Sequence, residues 1–151
     1  MEIPNIDKYM LEFTNGKLIL TLKENDDEEY YLTKEQFNKI LLANSQIFNC
    51  VVKNGEEVIS TKVKYKSILI DIYKSMSIQQ ILQTATFNFK STNENSTLGY
   101  HWCPELQMSI QNKDAQNTMK EILHMIEQYN YSIEISIKLK TDKIIYYNFN
   151  I

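Results

Sequence analysis

The sequence predicts an α+β domain in which antiparallel sheet carries two main helices on one face. Three observations predict it. Two Asn-Gly dipeptides each divide a pair of short apolar runs. Three stretches begin with a helix-capping side chain ahead of apolar residues at helical spacing. The last third closes on two runs in which apolar and polar residues alternate. The chain has 151 residues, one domain's length, and is read as a single domain spanning 1–151. The order strand, strand, helix, strand, strand can be traced twice, which suggests two similar halves, 1–75 and 76–151.

Each element follows from local chemistry. Asn15-Gly16 separates MLEFT from KLILTLK, and Asn54-Gly55 separates FNCVVK from EEVIST. Asn and Gly both tolerate positive φ, so each pair reads as the two central residues of a type I′ hairpin. The acidic stretch 24–29 is a turn, and Tyr30 to Leu32 a short strand. Thr33 and Gln36 form a capping box that opens a helix running through Phe37, Ile40, Leu41 and Asn44. From Thr61 the period returns to two: Val63 and Tyr65 oppose Lys62, Lys64 and Lys66, and Ile68, Ile70 and Ile72 continue the strand. Ser77 and Gln80 cap a short helix with Ile78, Ile81 and Leu82. Phe87 and Phe89 mark a strand, 91–97 is an exposed polar loop, and 98–110 is a strand interrupted by Pro104.

Asp114 caps the clearest helix, with an apolar stripe of Ala115, Met119, Ile122, Ile126 and Tyr129 and with His124 facing solvent. Ile133, Ile135, Ile137 and Leu139 then form one face of a strand. After a turn at Thr141-Asp142, Ile145, Tyr147, Phe149 and Ile151 form one face of a last strand reaching the final residue.

Composition excludes several classes. Hydrophobic residues at 43% and charged residues at 23% exclude a fully disordered chain and a collagen-like fibre. The net charge is −3, and all 16 basic residues are Lys. Without Arg the chain lacks the planar fork that grips phosphate or guanine in two bonds, so nucleic acid is a disfavoured partner. An AT-rich genome, which encodes Lys, Asn and Ile in preference to Arg and Gly, accounts for the same bias. Two cysteines 53 positions apart make no disulfide framework. Glu2 and Asp7 interrupt the N-terminus, and no run approaches the ~20 apolar residues needed to span a bilayer. A cytoplasmic protein is expected.

Few residues suggest chemistry. Glu24, Asp26, Asp27, Glu28 and Glu29 form an acidic surface that would suit a basic partner, or simply a solvated turn that blunts a sheet edge. Lys62, Lys64 and Lys66 line one strand face with Tyr65 behind them, the arrangement a single-strand nucleic-acid binder uses. A lysine row also discourages edge-to-edge sheet pairing. His101 and Cys103 share a strand face with Glu105 nearby, three metal-ligand types in five residues, yet a fourth ligand is missing. Phosphate-binding loops, dinucleotide fingerprints and metalloprotease helices are absent, so no catalytic residue, cofactor or metal is assigned.

Residues 28–70, EEYYLTKEQFNKILLANSQIFNCVVKNGEEVISTKVKYKSILI, resemble a module of small accessory proteins from phages and mobile elements of low-GC bacteria. The resemblance supplies no functional residues. It implies a protein that acts by binding a host or rival protein, such as a defence nuclease. The sequence therefore points to a non-enzymatic protein-binding protein, an inhibitor or an immunity factor against a toxin. A single-stranded nucleic-acid binder is the alternative, and a metal-using enzyme on His101 and Cys103 the third.

Overall fold

The alternating runs pair as their periods require. Strand β1 (Tyr9–Thr14) faces β2 (Lys17–Leu22) with Thr14 opposite Lys17, and the Asn15-Gly16 turn lies outside the described residues. The structure is a computed structural model, and it describes residues 9–14, 17–22, 30–40, 42, 45–91, 98–140 and 142–151. After β2 come β3 (Tyr30–Tyr31), α1 (Lys34–Asn38), β4 (Gln46–Asn54), β5 (Glu57–Ser60), α2 (Tyr65–Lys74) and α3 (Ile78–Thr84). Then follow β6 (Phe89–Lys90), β7 (Tyr100–Cys103), β8 (Met108–Gln111), α4 (Ala115–Gln128), β9 (Ser132–Lys138) and β10 (Ile144–Phe149).

A five-stranded sheet in the order β3-β10-β9-β4-β5 forms the centre, and β6-β8-β7 form a second sheet. Pairing is antiparallel except for β3, which runs parallel to β10 with Tyr30 beside Ile145. Register puts Cys50 beside Ile135, Val52 beside Ile133, and Tyr147 beside Ile135 on one face. That face joins a single buried cluster with Ile68, Leu69, Ile72 and Tyr73 of α2 and Met119, Ile122 and Ile126 of α4. The central sheet draws β3, β4 and β5 from before residue 75 and β9 and β10 from after it, so both stretches share one core.

The predicted caps are in place. Thr33 with Gln36 and Ser77 with Gln80 form reciprocal capping boxes, and the Asp114 carboxylate accepts the Asn117 N–H at 2.7 Å. At β4–β5, however, Asn54 pairs with Glu57, so the two central turn residues are Gly55 and Glu56. Gly55 alone has positive φ, +62°, the sign pattern of a type II′ turn rather than I′.

Four expectations are corrected. The strand read over 61–72 is helix α2. Ile68 and Ile72 satisfy period two and helical spacing equally, but Leu69 and Tyr73 are buried beside them, the i, i+1, i+4, i+5 pattern of one helix face. Its N-cap, Lys64, offers no side-chain acceptor, so the helix has no start signal in the sequence. The second long helix is thus α2, while α1 stops at Asn38.

The reason for that stop is a single side chain. The Leu42 N–H, which would bond Asn38 one turn back, donates to Gln116 Oε1 at 3.1 Å. Gln116 Nε2 donates to the Asn38 carbonyl at 3.3 Å, so an amide from α4 stands where the helical bond would be. Pro104 does not interrupt a strand but starts the turn at 104–107 between β7 and β8. The last strand ends at Phe149: Asn150 takes φ 59°, its amide bonds Asn130 and Tyr131, and Ile151 is 77% exposed.

Both thiols are buried. Burial pushes the Cys50 thiol up to about 12 from 9.0. Its thiolate fraction at neutral pH is therefore roughly 1000-fold below that of a free cysteine. Cys103 is raised by burial and then by donating to Glu105 Oε2 at 3.0 Å. A chromogenic disulfide reagent should label Cys50 far more slowly than a free thiol in the folded protein, and both cysteines in full after denaturation. Rapid native labelling of Cys50 would contradict this burial.

Candidate functional site

The acidic candidates Glu24, Asp26, Asp27, Glu28 and Glu29 lie outside the described residues. The lysine row is redrawn. Lys62 lies in the connection after β5, Lys64 caps α2, and Tyr65 and Lys66 lie in its first turn, so the four do not line a strand face. Lys62 reaches Asp71 at 3.9 Å, and Asp71 also accepts the Ser60 hydroxyl at 2.8 Å. Tyr65 is half-buried against the core and its hydroxyl meets Ser45 Oγ at 3.1 Å, so its ring is no open stacking platform. Lys64 and Lys66 are exposed.

His101 and Cys103 do not share a surface: His101 is exposed while Cys103 is buried and bonded to Glu105. Among the described residues no group of three His, Cys, Asp or Glu side chains could hold a metal ion. Tyr100 is buried, with the Lys90 ammonium 4.3 Å from its ring centre. No described helix is long and apolar enough to cross a membrane.

The structure instead gathers polar groups on α4 to which the sequence reading gave no role. Asn117, Lys120, Glu121 and His124 fall at i, i+3, i+4 and i+7, one face of the helix. Opposite them runs the Thr86-Phe87 segment after α3, with Lys113 at one end. Together they enclose a groove of about 410 Å³.

At its floor Glu121 is 1% exposed. A buried carboxylate requires donors, and four supply them. The Tyr73 hydroxyl donates at 2.7 Å, the Thr86 N–H at 2.9 Å, the Thr86 hydroxyl at 2.8 Å and the Phe87 N–H at 3.2 Å. Glu121 thereby ties α4 to α2 and to the chain leaving α3. Burial and then this bond hold the Tyr73 hydroxyl well above the ordinary tyrosine value. His124, expected in solvent, is half-buried, with Nε2 2.9 Å from the Thr84 carbonyl, so Nε2 carries the hydrogen.

On a helical wheel Glu121 borders Thr118 and Met125, which are also buried. Met125 flanking the predicted stripe on that side was the available signal. A glutamate on an amphipathic helix otherwise reads as solvated, and its donors lie 34 to 48 residues away.

A third feature is apolar. Ile78 and Leu82 of α3 are 55% and 59% exposed. The helix beneath them is fixed by Ile81, 1% exposed, and by Tyr129, whose hydroxyl donates to the Gln80 carbonyl at 3.1 Å and meets Thr84 Oγ1 at 2.6 Å.

Comparisons with models of known families, with curated proteins and with solved structures find no match to this chain.

Proposed function

We propose that this chain is a non-enzymatic protein-binding protein, and that the outer face of α3 anchors its partner. The observation that carries this reading is the Ile78–Leu82 pair. Four residues apart, the two side chains stand one above the other on one side of the helix. Isolated exposed apolar residues are ordinary, but adjacent ones on an anchored element form the kind of patch that binding draws on. The element is pre-ordered by its capping box and by Tyr129, so little side-chain or backbone freedom is lost on docking. The five acids between Glu24 and Glu29 favour a partner with a basic surface. The resemblance of residues 28–70 to accessory proteins of phages and mobile elements directs the search to host defence proteins and toxins.

The test is affinity capture from a host lysate, with and without nuclease, read by mass spectrometry and repeated with Ile78→Lys/Leu82→Lys. A stoichiometric protein that survives nuclease, and that the double variant loses by about 10-fold or more, is the expected result. Equal capture by the variant would remove α3 from the interface. A set of nucleic-acid proteins that vanishes on nuclease treatment would move the function to single-strand binding. Neutralising the five acids in a second variant should slow association most at low salt.

A further inference from the structure

The groove on α4 does not end at Lys113. A second cavity of about 150 Å³, lined by Lys66, Leu69, Ile110 and Asn112, shares Phe87 and Lys113 with it. Together they make a trench along α4 and α2. We propose that this trench binds a phosphate ester of mononucleotide size.

Three features support that class of ligand. The first is charge. Lys66, Lys113 and Lys120 line the trench, and none has a carboxylate partner among the described residues. The carboxylate lining the trench, Glu121, has both oxygens occupied by Tyr73, Thr86 and Phe87. It therefore offers the lysines no open acceptor, and an incoming anion would supply one.

The second is shape. The larger chamber falls within the roughly 300–1,000 Å³ of small-molecule sites. It is too small for a folded partner and large enough for more than a bare phosphate. The third is lining. Phe87, Leu69 and Ile110 give an apolar wall, and the Asn112 and Asn117 amides give paired donors and acceptors, which suits a planar ring with polar edges. Lysines contact phosphate as point charges rather than as forks, so binding should depend strongly on salt. The proposal does not rest on the protein-binding reading.

Titration calorimetry of the full chain with AMP, UMP, adenosine and inorganic phosphate, at about 50 mM salt, tests it. One nucleotide per chain is expected, with adenosine and inorganic phosphate each at least about 10-fold weaker than AMP. Lys113→Gln/Lys120→Gln should weaken AMP by about 10-fold or more while leaving the thermal unfolding curve unchanged, because both side chains are exposed. Absence of saturation by either nucleotide up to about 10 mM overturns the proposal. So does equal binding of adenosine, or AMP binding that the double variant leaves intact. Inorganic phosphate binding as tightly as AMP would make this a free-phosphate site and overturn the ester. A single-stranded oligonucleotide that excludes AMP and binds far more tightly would overturn it in favour of a nucleic-acid groove.

Discussion

Replacing Glu121 by alanine is expected to lower folding stability by about 3–5 kcal/mol, a large share of the ~5–15 kcal/mol that holds a domain together. The cost is not the loss of a surface charge. It comes from the donors the carboxylate leaves behind. The Tyr73 ring is fully buried and its hydroxyl has Glu121 as acceptor; the Phe87 N–H is buried as well. Thr86 is exposed, so water takes over there and the loss is smaller. An orphaned buried donor costs about 1–3 kcal/mol, which sets the scale.

Glu121→Gln should fall between the two, because one acceptor oxygen is replaced by an NH₂ group facing other donors. Tyr73→Phe alone should cost about 1–2 kcal/mol, and much less in the Glu121→Ala background, where the hydroxyl is already orphaned. Urea unfolding of the four proteins measures this cycle. A Glu121→Ala midpoint within about 0.5 kcal/mol of the parent, or strictly additive losses, would show that the carboxylate is not the hub described.

Phe37→Ala is expected to cost about 3–5 kcal/mol. Phe37 is 2% exposed, and its ring stacks on Tyr147 of β10 at 4.7 Å with 11° between planes. It is the buried residue of α1, a five-residue helix far too short to persist unaided. The capping box and the Lys34–Glu127 ion pair remain in the variant, but exposed ion pairs contribute at most about 1 kcal/mol. The loss should therefore appear first as local opening of α1. Hydrogen exchange should show the Phe37 amide, bonded to the Thr33 carbonyl at 2.8 Å, losing protection ahead of the β9 amides. Unchanged exchange at Phe37 with an unchanged urea midpoint would mean that the ring does not anchor α1.

What could be read from the sequence was what neighbouring residues decide among themselves. Each predicted cap is a bond between residues three apart, and all three are present: Thr33 with Gln36, Ser77 with Gln80, and Asp114 with the Asn117 amide. The alternation at Ile133, Ile135 and Ile137 placed one strand face inward because side chains on a strand alternate by geometry alone. The hairpins across residues 9–22 and 46–60 needed only short loops and two flanking runs.

What required the tertiary structure was everything decided by a residue far away in the chain. The segment at 61–74 satisfied two periods at once, and helix won because Leu69 and Tyr73 are buried together with Ile68 and Ile72 against α4. Helix α1 stops early because Gln116, 74 residues away, occupies the bonding groups of the missing turn. Pro104 marks a reversal because the strands on either side of it pair with each other. Glu121 is buried because Tyr73, Thr86 and Phe87 converge on it from other elements, and the same packing leaves two adjoining cavities, one lined by Lys113 and Lys120 and the other by Lys66 and Lys113. Local geometry selects elements through bonds a few residues long. Burial and charge pairing depend on which elements meet, and only the folded arrangement decides that.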